Sequence, residues 1–468
     1  MLALAPDTLP LPARHVLGLA VWMAVWWVTE PVPLAATSLL PAALLPALGV
    51  VTAREAVAPY ANELVFLFLA GFMIAAALEY WNAHVRVAYA LIGAVGLTAR
   101  RLVLGVMIAT AVISMWISNT ATAAMMYPIV LAIAALFEDG ADARRTRTAL
   151  MLGMAYAASI GGMATLIGTP PNLIFAGAAQ ELVGASVSFV RFLLIGVPIA
   201  AVLLPICWAM LVFVLFRGNP SLGEGARELL RERRRELGPL RGGEAWTLAV
   251  FGVTALGWLL RERKAFGAVT IPGLVDLAPR LTDATVGLIG ALALFVLPGV
   301  TRDGHRRPLL TWDEARRIPW DVLLLFGGGL SLASAMESTG LAAWLGQGMT
   351  ALGGLPPVAI NLGFALMVLL LSELASNTAI ATMAMPIAAS VALAVGQPPL
   401  LLMLVAALAA STGYALPVAT PPNTIVFGSG QVRVRDMMRA GILLDVIAIA
   451  VLVPVISALY PIVFGSAR

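Results

Sequence analysis

One stretch of this chain occurs nearly twice. Ser118-Asn119-Thr120-Ala121-Thr122 runs on to Pro128-Ile129, and 258 residues later Ser376-Asn377-Thr378-Ala379-Ile380 runs on to Pro386-Ile387. The same offset sets Glu63 on Asp321, Gly71 on Gly329 and Glu79 on Glu337. A second pair, Gly168-Thr169-Pro170-Pro171-Asn172 and Ala419-Thr420-Pro421-Pro422-Asn423, follows at an offset of 251. Each half therefore places a polar tripeptide inside apolar sequence and then breaks a helix with Thr-Pro-Pro-Asn. Broken apolar helices at matching places in two halves point to a transporter whose site lies where the repeats meet.

Composition excludes the ordinary soluble classes. The 468 residues are 60% apolar and 12% charged, and long apolar runs recur near the ~20 residues that cross hydrocarbon. The class is an all-α polytopic membrane protein. A net charge of +4 does not imply nucleic acid, because the arginines sit in short loops. The single cysteine, Cys207, excludes an intramolecular disulfide and reads as a packing residue inside an apolar run. Met1 to Arg14 lacks the basic region of a cleaved signal peptide.

Ten spans are expected, near 15–30, 34–50, 63–80, 148–179, 189–216, 244–260, 282–299, 321–339, 399–428 and 439–464. Short amphipathic pieces are expected around 84–98 and 341–355. The apolar stretches 101–137 and 358–395 hold the Ser-Asn-Thr motifs at their middles. As one helix each would be about 55 Å long at ~1.5 Å per residue, nearly twice the hydrocarbon thickness. A re-entrant helical hairpin with the motif at its tip fits better, since irregular backbone at membrane depth must be buried or line a wet cavity. With hairpins, 21 of the 29 basic residues fall on one side of the membrane. The positive-inside rule then puts both termini outside and opens the first hairpin to the cytoplasm. Five spans per half, an odd number, make the repeat inverted. The charged segment 217–243 reads as a short surface helix with i,i+4 pairs at the junction of the halves.

The motifs carry the chemistry. At a hairpin tip the first arm ends on free carbonyls and the second begins on free N–H groups. Carbonyl and hydroxyl oxygens suit a hard cation such as Na⁺, while the positive helix start suits a carboxylate. Asn offers an acceptor and a donor and can touch both. Thr-Pro-Pro-Asn forms the opposing wall. No Arg or Lys lies beside any of the four motifs in sequence, so the site is expected to be neutral, and a dianion would need co-bound cations to be held there. That is a physical route to obligatory coupling. Glu373, four residues before Asn377, is a candidate brace; Glu79 and Glu337 read as interfacial, and Asp445 as a cap or snorkelling contact near the start of the last span. His15, His84 and His305 form no ligand set, and Trp22, Trp26 and Trp27 read as interface anchors.

At these residues the chain resembles the divalent anion/sodium symporter family, carriers of dicarboxylates, citrate or sulfate. The marks are Ser114-Met115-Trp116-Ile117-Ser118-Asn119-Thr120-Ala121-Thr122, Ser159-Ile160-Gly161-Gly162 ahead of Gly168-Thr169-Pro170-Pro171-Asn172, Glu373-Leu374-Ala375-Ser376-Asn377-Thr378, and Ala419-Thr420-Pro421-Pro422-Asn423. The similarity runs from Trp27-Val28-Thr29-Glu30-Pro31 to the C-terminus. It implies a homodimer working as an elevator in the bacterial-type inner membrane. Scaffold would be 1–100 and 244–357, transport domain 101–216 and 358–468, and linker 217–243. Carried over, one sodium site falls on Ser114, Ser118, Asn119 and Gly168, and a second on Ser372, Ala375, Asn377 and Ala419. Carboxylate contacts fall on Asn119, Thr120, Thr169, Asn377, Thr378 and Thr420. Relatives usually have eleven spans and often carry threonine where Ser372 stands.

The reading that follows is sodium-coupled symport of C4-dicarboxylates such as succinate, malate or fumarate. The alternatives are a sodium-independent dicarboxylate exchanger and a citrate or sulfate carrier of the same family. An intramembrane enzyme is disfavoured, because the chain holds no His-Glu-x-x-His, no paired intramembrane aspartates and no nucleophile–base pair. A channel would not require two hairpins meeting at mid-membrane.

Overall fold

The computed structural model describes residues 9–465 except 97, 222–227, 229–231, 233, 234, 241, 267, 268, 302 and 349–352. Apart from two small antiparallel ribbons, Lys264–Phe266 with Val269–Ile271 and Pro298–Val300 with Arg306–Pro308, the regular structure is helical. Among the described residues seven helices are long and apolar enough to cross a membrane. The chain is a multi-pass membrane protein.

Both Ser-Asn-Thr segments interrupt helices. Ala99–Ser114 stops and Asn119–Ala134 restarts; Pro357–Leu374 stops and Asn377–Ala394 restarts. Ser118 and Ser376, the residues before each restart, take matching extended conformations with φ of −53° and −55°. Both Thr-Pro-Pro-Asn segments open a helix. Proline is favoured at the first helical position and drives the residue before it into extended backbone. Thr169 (φ −146°, ψ 145°) precedes Pro170–Val183, and Thr420 (φ −139°, ψ 147°) precedes Pro421–Gly428. Spans 148–179 and 399–428 are each two helices, broken where the Thr-Pro-Pro-Asn segments are expected to break them: Ala141–Gly162 with Pro170–Val183, and Pro399–Ala410 with Pro421–Gly428.

Helices that are apolar on every side belong in the interior. All of 148–162 and of 402–410 is buried, and these two segments form the centre of the molecule. Ala141–Gly162 packs against both arms of the first interrupted helix, and Pro399–Ala410 against both arms of the second. Tyr156 and Tyr414 join the two centres edge to face, ring centroids 5.3 Å apart. The half-helices cross over. Pro170–Val183 packs on Asn377–Ala394, and Pro421–Gly428 packs on Asn119–Ala134. This exchange brings four motifs, far apart in sequence, to one place.

Loop contacts sort into two ends. At one end Arg86 pairs with Glu244, Arg145 donates to the Arg217 carbonyl, and Trp81 donates to the Leu309 carbonyl. At the other, Ser188 donates to Glu262, and Asp283 accepts from the Phe189 N–H and pairs with Arg261.

Several expectations need correction. Span 34–50 is two short helices, Leu34–Thr37 and Leu40–Ala47, because Pro41 cannot continue the first helix and opens the second. Span 282–299 is only the 14-residue helix Asp283–Val296. The span expected at 321–339 and the short piece expected after it do form, as Trp320–Ser338 and Leu341–Gly348, set at 76° to each other. Trp27 is fully buried in a packed cluster with Met23, Leu45 and Leu332, so it is a core residue, not an interface anchor. The arms Pro357–Leu374 and Asn377–Ala394, at 18 residues each, meet the length criterion for spans. The surface-helix reading of 217–243 falls largely on residues outside the described set.

Candidate functional site

A cavity of about 1230 Å³ opens where the four motifs converge. Ser118, Asn119, Thr120, Gly168 and Thr169 line it from one half, and Ala375, Asn377, Thr378, Ala419 and Thr420 from the other. Of the residues expected to hold sodium or carboxylate, only Ser114 and Ser372 do not reach the lining. Both are fully buried just behind it.

The two halves build the same hydrogen bonds there. Ser114 Oγ lies 2.8 Å from Asn119 Oδ1 and 2.6 Å from the Ala158 carbonyl. Ser372 Oγ lies 2.7 Å from Asn377 Oδ1 and 2.7 Å from the Ala410 carbonyl. A serine hydroxyl has one proton to donate, yet each of these faces two acceptors. Each serine thus leaves a knot of oxygens with more lone pairs than hydrogens. The break walls are also matched. Asn172 Nδ2 donates to the Gly162 carbonyl at 3.0 Å and the Thr165 carbonyl at 2.7 Å, and Asn423 Nδ2 donates to the Leu416 carbonyl at 3.0 Å. Asn172 Oδ1 and Asn423 Oδ1 are both buried without a hydrogen-bond donor.

Donors sit on the other side of the same residues. Ser118 accepts from the Ala121 N–H at 3.3 Å. Ser376 makes no side-chain cap, so among the described residues the N–H groups of Asn377, Thr378 and Ala379 have neither intrahelical nor side-chain partners. They lie beside Asn377 and Thr378 on the cavity wall. Close approach requires glycine at two points. A Cβ on Gly168 would fall 2.5 Å from the Gly162 carbonyl oxygen, and one on Gly162 would fall 2.2 Å from Asn119 Oδ1.

The motif-bearing wall carries no formal charge, but the opposite rim does. Glu30, Glu79, Glu314, Asp321 and Arg317 all line the cavity. Among the described residues Arg317 is the one basic residue of the lining, and the expectation of a wholly neutral site does not extend to this rim. Burial works to raise the Glu314 carboxyl, but donors from Arg307 and Thr311 outweigh it and hold the group below the usual carboxylate range.

The family described as sodium:sulfate symporter transmembrane region matches the chain over residues 1–466. The chain belongs to that family. A curated member-like relative, the sodium-dependent dicarboxylate transporter SdcS of Staphylococcus aureus, is 39% identical over 467 residues, covering 98% of this chain and 88% of its own. Two solved structures are similar in fold. The YdaH transporter of Alcanivorax borkumensis has a TM-score of 0.60 at 12% identity, covering 97% of this chain and 99% of that one. MtrF of Neisseria gonorrhoeae has a TM-score of 0.59 at 12% identity, covering 97% and 96%. As a member of the sodium:sulfate symporter family the chain is a transporter and not an enzyme.

For this symporter-family chain, sequence reasoning missed three features. The charged rim is assembled from Thr29-Glu30-Pro31, the end of Glu63–Tyr80 and the segment around Arg317, none of which carries a local signal. The sequence marks Gly162 only by family resemblance, although its missing side chain makes room for Asn119. Asp445 is not near the start of its helix: Val434–Val463 begins eleven residues earlier, and Asp445 is buried.

Proposed function

We propose that this protein is a sodium-coupled symporter of C4-dicarboxylates such as succinate, malate and fumarate. The observation that carries the reading is the pair of oxygen knots at Ser114 and Ser372, each one proton short, at the wall of a shared cavity. A hard monovalent cation satisfies such a knot where water or a second donor is excluded. Ser114, Ser118, Asn119 and Gly168 would hold one sodium ion; Ser372, Ala375, Asn377 and Ala419 would hold the other. The carboxylates would rest on Asn119, Thr120, Thr169, Asn377, Thr378 and Thr420, against the uncapped helix start at Asn377. With no formal charge on the motif wall, the ions themselves supply the countercharge, so anion and cation bind together. The name of the S. aureus relative, a sodium-dependent dicarboxylate transporter, supports the substrate class.

The movement we assign is an elevator in a homodimer. The two interrupted helices, as re-entrant hairpins of an inverted repeat, would travel with the broken spans against 1–100 and 244–357. The crossed packing of the half-helices supports this, because it binds both motif pairs into one body. The test is uptake of labelled succinate into liposomes with and without an inward sodium gradient, with succinate, citrate and sulfate as competitors. Gradient-driven uptake inhibited by succinate alone is expected. Inhibition by sulfate or citrate at equal concentration would move the substrate assignment. Uptake indifferent to sodium but driven by internal succinate would make the protein an exchanger.

A further inference from the structure

We infer that Glu373 and Asp445 act as positioning residues, a two-carboxyl brace that sets the shape of the second cation pocket. The inference rests on the reading of Ser372, Ala375, Asn377 and Ala419 as a cation set. Glu373 lies in the last turn of Pro357–Leu374 and is 7% exposed; Asp445, in Val434–Val463, is 5% exposed. Glu373 Oε1 accepts from the Ala415 N–H at 2.8 Å and Oε2 from the Leu416 N–H at 2.9 Å. Asp445 Oδ1 accepts from the Tyr414 N–H at 3.2 Å, and its carboxyl lies beside that of Glu373. Three consecutive backbone donors of the break between Pro399–Ala410 and Pro421–Gly428 are therefore held by two acids from two other helices. Among the described residues neither acid has an ion-pair partner. The other titratable groups facing them are Tyr156, Tyr414 and Cys207.

The first half ties the same two points together without charge. At the 258-residue offset Glu373 corresponds to Met115, and at the 251-residue offset Leu416 corresponds to Thr165. There Thr165 Oγ donates to the Met115 carbonyl. In both halves the break donates to the end of the first arm; only the second half uses a carboxylate. The held segment is next to the pocket. A Cβ on Gly413 would fall 3.4 Å from the Ala419 side chain, 3.5 Å from the Ser372 carbonyl oxygen and 3.8 Å from Glu373 Oε1. Releasing Tyr414 to Leu416 thus shifts Ala419 relative to Ser372, and the second pocket is the one whose geometry depends on the last helix.

The chemistry sets an unequal response to conservative changes. Asp445→Asn keeps an acceptor oxygen for the Tyr414 N–H, whereas Asp445→Ala removes it. Glu373→Gln has one acceptor oxygen for two backbone donors and turns an NH₂ toward the other. The experiment measures sodium-dependent succinate uptake in proteoliposomes and hydrogen exchange of amides 414–416 in the purified, full-length protein. Glu373→Gln and Asp445→Ala are expected to raise half-saturating sodium about tenfold, the loss of a charge-assisted hydrogen bond, to keep uptake at saturating sodium, and to speed exchange at 414–416. Asp445→Asn is expected to restore both readouts. If Glu373→Gln does not fold, the contrast between Asp445→Ala and Asp445→Asn decides the matter. The brace is overturned if Asp445→Asn is as impaired as Asp445→Ala, or if exchange at 414–416 is unchanged in all variants. Wild-type uptake without sodium dependence would remove the cation reading, while the exchange comparison would still report on the brace.

Discussion

Replacing Gly162 by alanine probes the first cation pocket without substituting a proposed ligand. A Cβ there would stand 2.2 Å from Asn119 Oδ1, 2.9 Å from Cγ and 3.0 Å from Nδ2. The three nearest atoms all belong to one flexible side chain, so the helix can keep its place while Asn119 yields. To reach an ordinary contact of about 3.4 Å, Oδ1 must retreat by roughly an ångström. That retreat takes it out of its 2.8 Å contact with Ser114 Oγ. An acceptor lost from a charged group costs about 1.5–3 kcal/mol, which is about tenfold or more in half-saturating sodium. Alanine in place of glycine also favours a helix by up to ~1 kcal/mol, so loss of function would not reflect a weakened fold. The assay is initial-rate succinate uptake across a sodium series, run beside Asn119→Ala and the double variant. Because both changes act through one side chain, the double variant should be no worse than Asn119→Ala. Wild-type sodium dependence in Gly162→Ala would refute the placement of Asn119, and additive losses would refute the shared route.

Asn119→Ala and Asn377→Ala should each abolish uptake while the protein still elutes as a folded, monodisperse species, since each would remove a group that touches cation and anion alike; near wild-type uptake in either removes the tip assignment. Ser114→Ala and Ser372→Ala should raise half-saturating sodium more than they change limiting substrate affinity, because these buried hydroxyls lie behind the lining. Unchanged sodium dependence in both would favour the exchanger. Cysteines at Ala121 and Ala379, in a Cys207→Ala background, report the movement. In the conformation described here Ala121 lines the cavity and Ala379 is fully buried, so the first should label from the cavity side and the second should be protected, with the order reversing when the protein is driven to its other state. Equal labelling from one side under all conditions would indicate a static pore.

The parts of the fold that could be read in advance are those fixed by local chemistry. Proline at 170, 171, 421 and 422 dictates where a helix starts whatever surrounds it. The Ser-Asn-Thr interruptions follow from apolar stretches too long for one helix. Their convergence on one cavity follows from duplication, which gives each broken span an equivalent in the other half. The rest depends on partners that sequence order hides. Span 34–50 is apolar enough to cross, yet its helix breaks at Ser38–Leu39, just ahead of Pro41. Trp27 looks like an anchor until Leu332 and Met336, some 300 residues on, are packed over the same cluster. Asp445 looks peripheral when the last helix is started at 439; begun at Val434, the same residue is interior and faces Glu373. The charged rim is made by Glu30, Glu79, Arg317 and Asp321, which meet only in the folded chain.

The central claim is that sodium and dicarboxylate cross together from one shared cavity. It is tested most directly by measuring labelled sodium and labelled succinate influx in the same proteoliposomes, with the membrane potential clamped. The account predicts that sodium enters only when succinate is present, in a fixed ratio across succinate concentrations, and that both fluxes vanish together in Asn377→Ala. Succinate influx with no accompanying sodium, or sodium influx that persists without succinate, would contradict it.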